Sequence, residues 1–245
     1  MSPVDRFSGH ADLYQQYRID YPAELYNYLL SFVTNRQRAW DCATGNGQVA
    51  VILADYFAEV EATDISQAQL SKAVQRPNIR YQVTPAEHTP FPDQHFDLIT
   101  VAQALHWFDV EAFHQEVIRV AKPGAIVAEW MYGVALVDAS LDALIQDFYR
   151  NRVGPYWDPQ RRHIDENYVN LPFPFADVQQ RQFTIHRHWT AERFLNYLRT
   201  WSAVQNYIRQ HQNDPVKYLA EELSGVWGEE EKDVKFPVVL RVGRL

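Results

Sequence analysis

The chain has 245 residues, with 23 Lys and Arg against 31 Asp and Glu, giving a formal charge of −8 at pH 7. Apolar residues at 47% and charged residues at 22% are a globular mixture and exclude a disordered chain. The acidic balance argues against a nucleic-acid partner, because phosphate binding needs a basic face. No apolar run reaches the roughly 20 residues of a membrane span. Met1-Ser2-Pro3-Val4-Asp5-Arg6 lacks the apolar core of a signal peptide, so the expectation is a soluble, cytoplasmic protein without a membrane partner. The single cysteine, Cys42, excludes an internal disulfide and a Cys-rich metal site.

Asp20-Tyr21-Pro22 reads as a helix start with Pro22 at the first helical position, and Leu25, Tyr26, Leu29, Leu30 and Val33 continue at helical spacing. Ala39 to Cys42 is a short strand that runs into a glycine turn, Ala43-Thr44-Gly45-Asn46-Gly47, and an apolar helix from Gln48. Glu59 to Asp64 is a second strand, and Ser66 caps a helix running to about Gln75. Ile79 to Thr84 and Phe96 to Val101 are the third and fourth strands. Asp109 caps a helix from Val110 to Ala121 that stops at Lys122-Pro123-Gly124, and Ala125 to Trp130 is the fifth strand.

Beyond Trp130 the rhythm changes. Leu141 to Tyr149 is helical, Pro155, Pro159, Pro172 and Pro174 mark a loop-rich stretch, and Val178 to His188 alternates as a strand. Helices follow from Ala191 to Leu223, then a last strand from Lys235 to Arg244. The pattern predicts an α/β fold: a doubly wound, mostly parallel seven-stranded sheet with a helical lid. Its parts are an N-terminal helical cover over 1–35, a binding core over 36–130, and a C-terminal half over 131–245 that carries the lid and the last two strands, all one domain. Aromatics reach 14%, with Trp157, Trp189, Trp201 and Trp227 in the second half; a core filling and a pocket wall both account for them.

The turn after the first strand is a nucleotide site in physical terms. Glycine lets backbone approach a ligand, and the following helix presents free N–H groups. Asp64, ending the second strand, sits where a carboxylate accepts ribose hydroxyls. Gly45-x-Gly47-x-x-Ala50 also fits the dinucleotide fingerprint, so an NAD-linked oxidoreductase and a non-catalytic nucleoside-binding protein stay open. Asp41 weighs against a pyrophosphate, which it would repel, and for an ammonium-bearing cofactor such as S-adenosylmethionine.

These residues resemble the class I S-adenosylmethionine-dependent methyltransferases, and within them the small-molecule branch of trans-aconitate methyltransferase-like proteins. The likeness is carried by Asp41-x-Ala43-x-Gly45-x-Gly47, Asp64-Ile65-Ser66, Ala86-Glu87, Phe96-Asp97-Leu98-Ile99, Gln103-Ala104-Leu105-His106-Trp107-Phe108 and Lys122-Pro123-Gly124. Ala43 stands where the family's first loop glycine is common. The resemblance implies a Rossmann-like methyltransferase fold and S-adenosylmethionine as cofactor. Gly45 and Gly47 would pass beneath it, Asp64 would hold the ribose, and Ile65 would pack on the adenine. Ala86 and Glu87 would line the adenine edge, Gln103 would lie beside the methionine portion, and Tyr17 and Arg18 would cover it.

Methyl transfer needs alignment and exclusion of water more than it needs protein groups, and a carboxylate acceptor needs no base. His106, after the fourth strand, is the candidate base for an acceptor that loses a proton; packing beside Trp107 is its other reading. The nine histidines show no zinc-site spacing, so no metal is expected. Arg150, Arg152, Arg161 and Arg162 either select an acidic acceptor or face solvent. The overall expectation is an enzyme that methylates a small molecule, and the family resemblance implies that the acceptor atom is oxygen, as carboxylate or hydroxyl.

Overall fold

The computed structural model describes residues 19–245. Its elements are α1 (Ala23–Leu30), β1 (Arg38–Cys42), α2 (Gln48–Leu53), β2 (Glu59–Asp64), α3 (Gln67–Leu70), β3 (Ile79–Val83), β4 (Phe96–Ala102), α4 (Val110–Val120) and β5 (Ala121–Tyr132). Then follow α5 (Ala139–Asp147), α6 (Arg162–Asp165), β6 (Ala176–Trp189), α7 (Ala191–Arg199), α8 (Ser202–His211), α9 (Val216–Trp227) and β7 (Lys232–Arg244). The sheet has seven strands in the order β3-β2-β1-β4-β5-β7-β6. The first five run parallel, and β7 is antiparallel to both β5 and β6. This is the expected doubly wound sheet. Its strand order reverses between β1 and β4, the crevice where ligands bind in such folds.

β1 and β4 are buried almost throughout, as a central parallel strand must be when helices cover both faces. One apolar layer joins α1, α2 and the C-terminal helices to residues such as Leu98, Ala128 and Trp130. The opposite layer joins α4 and the stretch after α6 to Trp40, Ile99, Val101 and Met131. The segment after Trp130 therefore packs onto the sheet as part of the same core.

The caps read from the sequence hold. Ser66 Oγ accepts from the Gln69 N–H at 3.3 Å, and Asp109 Oδ1 accepts from the Ala112 N–H at 3.2 Å. Four local details differ. Pro22 is the N-cap of α1, extended at ψ 148°, because its carbonyl opens the helix by accepting from the Leu25 N–H. The helix after Ser66 ends at Leu70, short of Gln75. Lys122-Pro123-Gly124 lies within β5, with Gly124 at φ +79° and its N–H donating to the Leu245 carbonyl at the end of the chain. The last helix runs to Trp227, past Leu223.

β6 is the sheet edge. Ala176 to Gln182 are exposed on both faces, whereas Ile185 and Trp189 turn into the core. Its polar first half leaves a sheet edge that is charged and hydrated.

The two halves of the sheet are locked by a buried ion group. Glu129 on β5 is fully enclosed; its carboxylate accepts from Arg241 Nη2 on β7 and from His114 Nε2 on α4, both at 2.8 Å. Arg241 also donates to the carbonyls of Tyr168 and Leu171, each at 3.0 Å. Removing one partner of a buried pair strands the other charge. Arg241→Ala is expected to lose about 3–5 kcal/mol in urea unfolding, and Glu129→Leu combined with Arg241→Met to recover most of it. A single-variant loss below about 1 kcal/mol, the size of an exposed pair, would contradict this.

Candidate cofactor and acceptor site

The glycine turn leaves β1 at Cys42 and enters α2 at Gln48. Three residues in it have positive φ: Ala43 at +53°, Gly45 at +58° and Gly47 at +83°. Left-handed backbone costs alanine roughly 1–2 kcal/mol that glycine would not incur, so Ala43 departs from the family pattern at a strained position. A Cβ on Gly47 would come within 2.5 Å of Tyr81 Oη, which leaves no room for a side chain there.

Asp41 is 1% exposed and faces into the protein. Oδ2 accepts from Thr44 Oγ1 and from the Ala50 N–H, and Oδ1 accepts from Thr100 Oγ1 at 2.9 Å. It ties the turn to α2 and to β4. Its charge is still felt outward: with burial as the larger cause, it pushes the Tyr81 phenol up to about 12. Asp64 likewise holds the turn. Oδ2 accepts from the Gly45 N–H and Oδ1 from the Ser66 N–H, each at 2.8 Å. Ile65, next in sequence, is 36% exposed at the carboxyl end of β2, an apolar side chain left uncovered beside the acid. Ala86 is buried. Glu87 Oε1 accepts from the Asp109 N–H at 3.1 Å.

Gln103 lies at φ +57° and clamps the ends of two strands. Its Oε1 accepts from the Tyr132 N–H at 2.7 Å and its Nε2 donates to the Tyr132 carbonyl at 3.2 Å. Its amide is therefore committed to backbone. Tyr17 and Arg18 lie outside the described residues. Sequence reasoning missed Asn46, whose Oδ1 is buried without a hydrogen-bond partner among the described residues, and Gln48, whose Oε1 is the same. Both line a cavity of about 270 Å³ with Asp20, Tyr21 and Gly47. Two unmet acceptor oxygens and a carboxylate beside a glycine turn suit an ammonium group. Together with exposed Ile65, they fit a cofactor that has an amino acid end and a nucleoside end.

A second cluster stands at the carboxyl end of β4. His106 is 5% exposed, with Nδ1 2.9 Å from Tyr168 Oη and its ring 4.6 Å from that of Trp107. Burial, then the nearby charges of Arg161 and His163, holds the imidazole well below its usual range, so it is neutral at pH 7. A base depressed this far takes up a proton poorly. Arg161 is 17% exposed, stacked 4.7 Å over Trp157, and its Nε donates to Tyr149 Oη at 2.9 Å. Trp157 and Tyr149 pack in turn on Trp201. Cys42 is buried and its thiol pushed well up, first by burial and then by Asp41, so it is no nucleophile. Among the described residues no group of three metal-ligating side chains converges.

A glycine turn between β1 and α2, an acid ending β2 and a β4-end cluster define an α/β enzyme that binds a nucleoside cofactor. A family model described as a methyltransferase domain matches residues 40–128. A solved protein of Anaeromyxobacter dehalogenans, assigned as a type II methyltransferase, is similar at 38% identity over 93% of this chain and 97% of its own, with a TM-score of 0.84. A Dictyostelium discoideum protein assigned as a methyltransferase is 29% identical over 96% of this chain and 93% of its own length. CRG1 of Saccharomyces cerevisiae, assigned as an S-adenosylmethionine-dependent methyltransferase, is 23% identical over 82% of each. The chain belongs to the class I S-adenosylmethionine-dependent methyltransferases and is an enzyme that uses S-adenosylmethionine. The NAD-linked reading of the turn is thereby set aside.

The geometry changes what Asp64→Ala should do. Besides any ribose contact, the carboxylate accepts the Gly45 N–H of the glycine turn and the Ser66 N–H that follows its own strand. Charged hydrogen bonds are worth about 1.5–3 kcal/mol each, discounted here by partial exposure. The expected outcome is a stability loss of about 1–3 kcal/mol together with a roughly 30- to 1,000-fold weaker dissociation constant for S-adenosylhomocysteine. Calorimetric titration and thermal melting on the same variant check it. Wild-type affinity with a lowered melting temperature would assign Asp64 to the turn alone.

Proposed function

We propose that this methyltransferase acts on a small molecule and methylates it on oxygen, a carboxylate ahead of a hydroxyl. The observation that carries the reading is Arg161. Of the four arginines in its stretch, Arg150 and Arg162 are exposed and Arg152 meets Glu222 at 3.8 Å. Arg161 turns inward instead. Its Nε is taken by Tyr149, with Asp165 3.9 Å away, and among the described residues nothing accepts from its two terminal nitrogens. A largely buried guanidinium whose two terminal nitrogens keep four N–H donors is a seat for a planar anion. His163, with a buried Nδ1 that lacks a partner, stands close by. The overall charge of −8 supports a small acceptor over a nucleic acid.

In this reading residues 36–130 hold the cofactor, 131–245 supply the acceptor wall and the last two strands, and 1–35, with Tyr17 and Arg18, cover the entrance. Asp64, Ile65 and Ala86 take the nucleoside end, while Asn46, Gly45 and Gly47 take the amino acid end. Asp41, Ala43, Glu87 and Gln103 shape this site through the backbone they hold. S-adenosylmethionine supplies a methyl group on a sulfonium, activated for displacement. The chain's part is to desolvate and align the acceptor: Arg161 fixes its charge, and Trp157, Tyr149 and Trp201 exclude water. A carboxylate brings its own electron pair, which agrees with a neutral, weakly basic His106. A cytoplasmic setting goes with this reading; among the described residues no helix is long and apolar enough to cross a membrane.

The test is release of S-adenosylhomocysteine over a panel of small carboxylic acids, phenols, alcohols and amines. Turnover should be fastest on a carboxylic acid. Arg161→Ala should raise that acid's KM by roughly 10- to 100-fold, the worth of a charged hydrogen-bond pair, with cofactor affinity unchanged. Preferred turnover of an amine, or an Arg161→Ala enzyme with wild-type KM, would overturn the proposal.

A further inference from the structure

Two consecutive residues after α6 hold left-handed backbone: Asn167 at φ +52° and Tyr168 at +58°. Asparagine enters that region readily, but for a bulky residue it stores strain and persists only where the surroundings impose it. Here they do. The Tyr168 N–H donates to the His163 carbonyl at 2.7 Å, and its own carbonyl accepts from Arg241. Arg241 is anchored by fully buried Glu129, and its guanidinium lies between the Tyr168 and Phe173 rings, 5.8 and 4.9 Å from their centroids. A strained turn and a buried ion group are thus combined at one side chain.

What they place is the Tyr168 hydroxyl. The ring is 2% exposed inside an apolar layer, where a phenylalanine would fill nearly the same space. The polar tip reaches one side chain, His106, at 2.9 Å from Nδ1. Burial, then the Glu129 charge, keeps the phenol protonated far above neutral pH. The imidazole beside it is neutral, as described above. Two neutral partners at this distance can pair in either direction, and a phenol, a better donor than acceptor, favours the one in which the hydroxyl donates to Nδ1 and the ring hydrogen sits on Nε2.

We propose that Tyr168 is a positioning residue for methyl transfer: its hydroxyl fixes His106 as the Nε2–H tautomer, so that His106 presents a hydrogen-bond donor to the acceptor's non-reacting oxygen and is not a base. The proposal rests on the oxygen-acceptor reading. It agrees with the balance of that reaction: methylation of a carboxylate forms one O–C bond, breaks one S–C bond whose electron pair stays on sulfur, and releases no proton. A base has nothing to remove, while a donor that holds the second oxygen sets the first in line.

The experiment uses the whole chain with S-adenosylhomocysteine bound, ¹⁵N-labelled at histidine, with the His106 resonances assigned by their loss in His106→Gln. In the wild type, Nδ1 should resonate as an unprotonated nitrogen and Nε2 as a protonated one. Tyr168→Phe should shift His106 toward a mixture of tautomers, keep the affinity for S-adenosylhomocysteine within about twofold, and lower kcat/KM for the best panel acid by roughly tenfold or more. Should Tyr168→Phe fold poorly by thermal melting, His106→Gln carries the same test, because its amide NH₂ replaces the Nε2–H donor but no base. It should keep turnover within about tenfold of wild type, whereas loss of a general base costs about 10²–10⁴. An unchanged Nε2–H tautomer in Tyr168→Phe, unchanged turnover, or a loss of a hundredfold or more in His106→Gln would each overturn the proposal. A wild type that turns over no acid in the panel fails the oxygen-acceptor reading, whereas the tautomer measurement judges Tyr168 by itself.

Discussion

Asp41 is the penultimate residue of β1, beside the place where the sheet reverses its order, and it is enclosed almost completely. A carboxylate in such surroundings must have its lone pairs met, or the fold would carry a large desolvation cost. They are met by Thr44 of the glycine turn, by the first helical turn of α2 and by Thr100 of β4. One side chain thereby sets the spacing of β1 and β4, the path of the turn and the start of the helix that faces the cofactor. Asp64 repeats the device from β2, by holding the Gly45 N–H. The residues proposed to bind the cofactor are first of all the supports of their own loop, which is how a site is held ready before its ligand arrives.

The acceptor side depends on a second anchor at the far end of β5. Glu129, His114 and Arg241 join α4, β5 and β7, and Arg241 holds the stretch that carries Tyr168. The turn that carries Arg161 lies against the Leu105–Trp107 turn at the end of β4. Both halves of the chain therefore meet at His106. The aromatic excess of the second half is resolved in the same way. Trp189, Trp201 and Trp227 are core, Trp189 packed on Phe236 and Trp227 on Phe194, whereas Trp157 is half-buried as a wall beside Arg161.

Legibility followed the range of the interactions. Ser66 and Asp109 act within three residues of themselves, so their roles as caps were visible in the sequence. The seven strands were visible because β-branched runs and glycine turns mark them locally. Element ends were less so: the helix after Ser66 stops at Leu70 because no local residue enforces its length, and Lys122-Pro123-Gly124 joins β5 because Gly124 is paired with the distant Leu245. Glu87 and Gln103 were placed at the right edge of the sheet, but their side chains are claimed by Asp109 and Tyr132.

The sequence by itself determined the α/β alternation, the glycine turn between an acid and a helix, the acid after β2 and, through the family resemblance they carry, the expected cofactor. These are patterns of neighbours, and backbone sterics and periodicity act over a few residues. Only the tertiary structure decided which arginine of four turns inward, which tryptophans are wall and which are core, and that His106 is neutral and paired with a tyrosine 62 positions away. Burial and long-range pairing decide such matters, and neither exists until the chain has folded around them.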